Sequence, residues 1–269
     1  MLASSIVLEV SMSCILFPSP IFGPIHSRRL GLSLGVNLLP PSAKVCSFDC
    51  VYCECGLNAK NETKPKLPTR EEVKTALEKK LAALLLKNMI PDVITFAGNG
   101  EPTSHPKFLE IISDTIELRD KYIPNAKISV LSNSTFVNRP SVMEALQLVD
   151  NPIMKLDTVN EDFIHLVDRP NAKYDVEEII RCLENFKGDV IVQTMFLKGS
   201  IDGKEINNTT DEYVQPWLKV LDQIKPREVM IYTIDRETPL KTLKKASPQE
   251  LDRIKDILES KGYKTLVAY

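Results

Sequence analysis

Apolar runs of strand length alternate with segments whose apolar residues recur every three or four positions, and this rhythm persists from Gly31 to the end of the chain. Alternation of this kind builds βα units around a parallel sheet. Six runs are predicted as strands: Gly31–Leu39, Val93–Gly98, Lys127–Leu131, Ile153–Leu156, Val190–Leu197 and Glu228–Ile234. They are nearly continuous in apolar residues, as strands covered on both faces are. The terminal KTLVAY reads as one more strand.

The intervening helices carry their own punctuation. Thr69 with Glu72 three residues on forms a capping box, followed by the stripe Val73, Ala76, Leu77, Leu81, Leu84, Leu85. A second helix is predicted to begin near Pro106, a residue suited to a first turn, and a third to run over Val142, Met143 and Leu146. The next spans Val176 to Leu183, and another holds Trp217, Leu218 and Leu221 with Pro216 early in it or kinking it. Ser247-Pro248-Gln249-Glu250 places an N-cap, a proline at N1 and a capping-box glutamate in sequence. Six such units either close partly into a barrel or lie open as a doubly wound sheet. In both, sites gather at the C-terminal ends of the strands.

Composition fits one large domain: 269 residues, 43% hydrophobic, with a net charge of −2. That charge gives no global attraction to nucleic acid, so strong nucleic-acid binding is not expected. No run approaches the roughly 18–20 apolar residues that span a bilayer. Met1 to Ser13 is short and apolar with no basic residue before it, which does not make a secretory signal. Met12 is a second candidate start. Residues 1–20 are read as an N-terminal extension, partly disordered, and 21–269 as the folded domain with its C-terminal helix and strand.

The first predicted strand runs directly into the chemistry. Of the cysteines Cys14, Cys46, Cys50, Cys53, Cys55 and Cys182, four fall within ten residues. Disulfide scaffolds spread their cysteines through short secreted chains, so this clustering points to a reducing cytoplasm and a metal or redox site. Cys46-Ser-Phe-Asp-Cys50-Val-Tyr-Cys53 is C-x3-C-x2-C. Three thiolates serve three irons of a [4Fe–4S] cube and leave the fourth open, whereas closed clusters usually take four cysteines. Two other readings stay open: a zinc site using Cys55 as well, and an electron carrier in which Cys55 closes the cluster. Cys14 and Cys182 read as inert thiols.

The cysteine loop, with Tyr52 just before its third cysteine, resembles the signature of the radical S-adenosylmethionine (SAM) superfamily. Gly98-Asn99-Gly100-Glu101-Pro102-Thr103 after the second strand is similar to the superfamily's SAM-binding turn. A closer likeness, over roughly residues 20–240, is to the Fe–S oxidoreductase family that includes the wyosine-forming tRNA enzyme. It rests on Phe22-Gly-Pro-Ile-His26-Ser-Arg28-Arg29-Leu-Gly31, on Ser33-Leu34-Gly35-Val36-Asn37, on Lys155-Leu-Asp157 with Asp168-Arg169-Pro170, and on Tyr232-Thr-Ile-Asp235-Arg236.

The resemblance implies a partial (β/α)6 TIM-like barrel, a [4Fe–4S] cluster on Cys46, Cys50 and Cys53, and SAM on the open iron. It implies reductive cleavage of SAM to a 5′-deoxyadenosyl radical that abstracts hydrogen from a substrate. Gly100, Glu101, Pro102, Thr103 and Asn133 are then cofactor residues, Glu101 for the SAM ammonium and Asn133 for the ribose. Tyr52 is expected near the adenine or over the cluster. Asp157 and Gln193 face the cofactor side. Arg28, Arg29, Lys155, Arg169 and Arg236 are expected at the mouth, where their charges suit an anionic or zwitterionic substrate. The substrate is a small molecule or a macromolecule, the latter implying an RNA-modifying or protein-activating enzyme. The reductant is external, such as flavodoxin or ferredoxin. The wyosine enzymes carry a second cluster on additional N-terminal cysteines, and Cys14 alone cannot hold one, so the wyosine reaction is not carried over.

Overall fold

The computed structural model describes residues 15–59 and 66–269. Its chain order is β1 (Ile21–Ser27), β2 (Gly31–Val36), α1 (Arg70–Leu86), β3 (Val93–Phe96), α2 (Phe108–Tyr122), β4 (Lys127–Ser132), α3 (Pro140–Leu148) and β5 (Asn151–Lys155). There follow α4 (Glu161–Phe163), a π-helical turn at Ile164–Asp168, α5 (Val176–Glu184), β6 (Ile191–Met195), β7 (Leu197–Ile201), β8 (Lys204–Asn207) and α6 (Asp211–Ile224). The chain closes with β9 (Glu228–Tyr232), β10 (Leu243–Lys245), α7 (Pro248–Ser260) and β11 (Thr265–Ala268).

The main sheet has the order β1-β2-β3-β4-β5-β6-β9-β11. From β2 onward every neighbouring pair is parallel. The order never reverses, so right-handed crossovers set all the helices on one face. That decides between the two architectures: the sheet curls into a half-barrel and is not doubly wound.

Alternation along each strand sorts the faces. Leu34, Val36, Ile94, Phe96, Ile128, Val130, Met154, Val192 and Ile231 point outward. They share one core with Leu77, Leu81, Ile111, Ile112, Leu146, Leu183, Trp217, Leu221, Ile254 and Leu258 of the helices. Each such fully buried aliphatic side chain contributes about 1.5–3 kcal/mol. The inner face has an apolar floor of Ile153, Ile191 and Met230, packed by Leu30, Leu131 and Leu266. Above that floor the inward positions turn polar: Asn133, Lys155, Asp157, Gln193 and Tyr232.

A half-barrel leaves a gap between its two edges. Here the β1–β2 hairpin crosses it. Ser27 Oγ accepts from the amides of Arg29 (3.3 Å) and Leu30 (3.2 Å) and shapes the turn. Arg28 Nη1 donates to the Tyr269 carbonyl at 3.0 Å, beyond β11, and Leu30 fills the floor.

Both capping boxes are present as read, on Thr69 with Glu72 and on Ser247 with Glu250, and β11 is the terminal strand. Several boundaries differ. β2 ends at Val36 and β9 at Tyr232; just beyond them the side chains of Asn37 and Thr233 accept from the loop amides of Leu39 and Ala246. The single strand expected over Val190–Leu197 is two, β6 and β7, and α2 starts at Phe108 after a 3-10 turn at Pro102–Ser104. Pro216 lies inside α6. β1 and the three-stranded sheet β10-β7-β8 are additional. Residues 1–14, including the expected disordered start and Cys14, lie outside the described residues. Residues 15–20 are tied to the domain: Phe17 N donates to Asn99 Oδ1 at 2.8 Å and Ser19 Oγ to Asn37 O at 2.9 Å.

Candidate active site

Loops leaving β2, β3, β4 and β5 meet on one rim and grip the cysteine loop from three sides. On the β3 side, Val45 N donates to Asn99 O at 2.8 Å, and Val45 forms a parallel bridge with Gly100. Gly100 has φ +143°, and a Cβ there would lie 1.8 Å from Val45 O. The glycine was expected to admit a ligand; what approaches it is the cysteine loop's own backbone. On the β5 side, Asp49 N donates to the Asp168 carbonyl and Val51 N to that of Val167, while Phe48 bridges Pro170. On the β4 side, Asn133 Nδ2 donates to Ser47 Oγ at 2.9 Å and approaches Cys46 Sγ at 3.5 Å.

The loop is also braced from within. Asn58 Oδ1 accepts from Cys46 N at 2.9 Å, and its Nδ2 donates to the carbonyls of Cys46 and Phe48. Lys44 is buried, with Nζ 3.0 Å from the Gly56 carbonyl and 3.4 Å from Asp49 Oδ1. Burial lowers the Lys44 pKa, but the negative charge of Cys53, Cys50, Cys46 and Asp49 lifts it above its ordinary value. Lys44, Asn58 and Asn171, whose Nδ2 donates to Cys46 O at 2.9 Å, were missed in the sequence. Lysine and asparagine flanking a loop give no local signal of what they will touch.

Burial and the nearby Glu101 push the Cys46 thiol up to about 12, and burial lifts Cys50 well above the ordinary thiol value. The Cys55 thiol borders Cys53 and holds its pKa below that value, while the S–H of Cys55 donates to Gly98 O at 3.3 Å. Among the described residues no group of three or more His, Cys, Asp or Glu is arranged to hold one metal ion. A structural zinc needs four donors converging on a single centre, whereas a cubane takes each thiolate on a different iron. Cys46, Cys50 and Cys53 share one apolar pocket with Phe48, Tyr52 and Met195, a set of three thiols that would serve three irons of a cubane.

Glu101 is buried. Its Oε1 accepts from Thr103 N (3.0 Å), Thr103 Oγ1 (2.5 Å) and Ser132 Oγ (2.9 Å), and among the described residues its Oε2 accepts only from Asn133 N (2.7 Å). Burial still leaves its pKa raised. A carboxylate has about four lone-pair sites, two on each oxygen, so Oε2 keeps one for a further donor. Pro102 and Thr103 build this cradle through a short 3-10 turn. The Asn133 side chain is fully engaged, its Oδ1 accepting from Thr135 N and Oγ1.

Inside the barrel, Lys155 Nζ lies 2.8 Å from Asp157 Oδ2 and 2.7 Å from Asp168 Oδ1. The second contact is an ion pair without hydrogen-bond geometry, since Asp168 Oδ1 has no hydrogen-bond partner. Asp157 also accepts from Tyr52 Oη and from Met195 N. Tyr52 is thus fixed beside Cys50 by a carboxylate on β5's loop. Gln193 is buried, its amide meeting only Met230 Sδ among the described residues, at 4.0 Å.

The expected mouth cations separate. Arg28 bonds Tyr269 O and pairs with Asp235 at 3.6 Å. Arg236 pairs with Glu54 at 2.9 Å. Arg169, at φ +49°, donates from Nε to Leu166 O at 3.3 Å. Arg29 stacks over the Tyr232 ring, 4.6 Å from its centroid.

A family model described as the radical SAM superfamily matches residues 41–212. A UPF0026 protein of Helicobacter pylori is 33% identical over 233 residues, covering 84% of this chain and 70% of that protein. A protein of Brachyspira hyodysenteriae named GTPase Obg is 30% identical over 244 residues, 89% of this chain. Among solved structures, Streptococcus suis SuiB bound to S-adenosylmethionine superposes with TM-score 0.58 at 14% identity over 84% of this chain. The chain spans about half of the SuiB chain, 48%, and 33% of the Brachyspira protein.

Proposed function

The chain belongs to the radical SAM superfamily, an enzyme superfamily that uses a [4Fe–4S] cluster and SAM, and from that membership we propose that Cys46, Cys50 and Cys53 hold the cluster and Glu101 receives the SAM ammonium. Held there, a [4Fe–4S] cluster and SAM would supply one-electron reductive cleavage of SAM, the source of a 5′-deoxyadenosyl radical for hydrogen abstraction. The residues of the chain bind, orient and keep the site dry. One observation carries the reading: the cysteine loop and the Glu101 cradle are joined at Val45 and Gly100, so the thiols and a carboxylate with one open acceptor position share a rim.

Within this reading Glu101 Oε2 takes the ammonium, a charge-assisted bond in a dry site. Thr103, Ser132 and Asn133 aim the carboxylate. Asn133 orients Cys46 through its amide, and its contact with a ribose rests on the family likeness alone. Tyr52, held by Asp157, walls the cluster pocket. Gln193 lines the lumen with its amide oxygen open to a ligand. Burial keeps water from the reacting centre. In this reading the electron comes from an external carrier such as flavodoxin or ferredoxin. Among the described residues no helix is long and apolar enough to cross a membrane.

The test is SAM binding to reconstituted protein. Glu101→Gln is expected to weaken SAM by about 1–3 kcal/mol, the loss of one charge-assisted hydrogen bond, with iron content unchanged. Unaltered SAM affinity would remove Glu101 from the site.

A further inference from the structure

Five basic residues were candidates for a substrate anion, and the structure accounts for four. Arg28 latches the hairpin to Tyr269 and Asp235. Lys155 is held between two carboxylates. Arg169 donates to a backbone carbonyl and Arg236 pairs with Glu54. Arg29 is different: its guanidinium makes no hydrogen bond or ion pair with any described residue, and its Nη1 is shut away from solvent without a partner.

The location is informative. The Arg29 guanidinium carbon sits over the ring of Tyr232, 4.6 Å from its centroid, and Tyr232 faces the lumen at the top of β9 and packs in the pocket shared by Cys46, Cys50 and Cys53. Tyr232 is the register partner of Met195 on β6, and Gln193 is the next inward residue below Met195. Gln193 is also under-bonded. The guanidinium beside the Tyr232 ring and the buried Gln193 amide thus lie on the β6–β9 side of the sheet. Burying an unpaired charged donor is costly. An oxyanion on the remaining N–H groups of the guanidinium would offset that cost, because the planar fork matches planar or tetrahedral oxyanions with two parallel bonds.

We propose that Arg29 is the anion-binding residue of the substrate site, and that the substrate carries a carboxylate or phosphate that docks on its fork beside Gln193. This rests on the reading of the barrel lumen as the place of radical chemistry. It narrows the substrate from any molecule to an oxyanion-bearing one.

The experiment uses anaerobically reconstituted holoenzyme saturated with SAM, so that the carboxylate of SAM is present in every arm. Thermal midpoints are measured against increasing acetate or inorganic phosphate, with chloride matching ionic strength. The midpoint of the wild type is expected to rise saturably with one of the two, acetate marking a carboxylate site and phosphate a phosphate site. Arg29→Gln is expected to raise the half-saturating concentration by about tenfold or more. Arg29→Lys keeps charge without the fork and is expected to fall between, and it carries the comparison if Arg29→Gln does not fold. No saturable response in the wild type, or the same response in wild type and variants, overturns the proposal. Failure of the radical reading looks different: full-cluster wild type releasing no 5′-deoxyadenosine, with the oxyanion response intact.

Discussion

At the scale of residues, the rim is specified by contacts that tolerate little change. Gly100 is the sharpest case. Its φ of +143° disfavours any side chain, and the Val45 carbonyl occupies the place of a Cβ. Gly100→Ala is expected to cost about 3 kcal/mol or more through strain and overlap, read as a lower unfolding midpoint together with poor cluster loading. The cysteines divide by environment. Cys46→Ala, Cys50→Ala and Cys53→Ala are each expected to abolish iron binding. Cys55→Ala is expected to retain about four irons per chain, because Cys55 lies outside the three-cysteine spacing. Loss of iron from Cys55→Ala would mean a closed, four-thiolate cluster. The cysteine spacing was legible in the sequence because the ligands are neighbours in the chain. The cradle of Glu101 was half legible: Thr103 is local, while Ser132 and Asn133 arrive from the next strand. The cations were not legible. A sequence shows that Arg28 and Arg29 are charged, but whether each meets Asp235, Tyr269 or nothing is decided by how the barrel's edges approach each other.

At the scale of elements, caps and strands were readable for the same reason: each is a local rule. Ser247 and Glu250 announce α7, and the structure gives Glu250 a second duty. Its carboxylate accepts from Ser247 N at 2.6 Å and from Lys198 Nζ of β7 at 2.9 and 2.8 Å, pinning the small sheet to α7. Burial raises its pKa, but these bonds outweigh that and bring it from 4.5 to about 2. A carboxyl depressed on folding stabilises fully above its unfolded pKa and loses that contribution as pH falls toward the folded value. Glu250→Gln is therefore expected to be less stable than wild type by about 1 kcal/mol at pH 7, the usual worth of a cap with a part-exposed ion pair. The gap should close between pH about 4.5 and 2 in denaturant titrations; a gap constant with pH would contradict the assignment. The elements that escaped notice are those whose signal is not local. β1, IFGPIHS, holds a proline mid-strand, which is tolerated because β1 is an edge. β8 (KEIN) and β10 (LKK) are short and polar, and only their pairing with β7 makes them strands. The π-helical turn at 164–168 has no periodicity of its own, yet it carries Asp168 to Lys155 and the cysteine loop.

At the scale of the whole molecule, the unreversed strand order sets one face of the sheet against helices and leaves the other as a lined lumen. Its floor is apolar, its upper wall is polar, and its rim holds the cysteine loop. The β1–β2 hairpin crosses the open side, bringing Arg29 over Tyr232. Radical chemistry from SAM is the activity proposed for this lumen. It is tested most directly by giving SAM and dithionite to anaerobically reconstituted protein with a verified full, reduced cluster and measuring 5′-deoxyadenosine. Reduced cubanes reach potentials of roughly −400 to −700 mV, low enough to drive an electron into a sulfonium. Slow release of 5′-deoxyadenosine is expected even without the true substrate, and its loss in Cys46→Ala, Cys50→Ala and Cys53→Ala. A full, reduced cluster that releases none would contradict it and leave an electron carrier in its place.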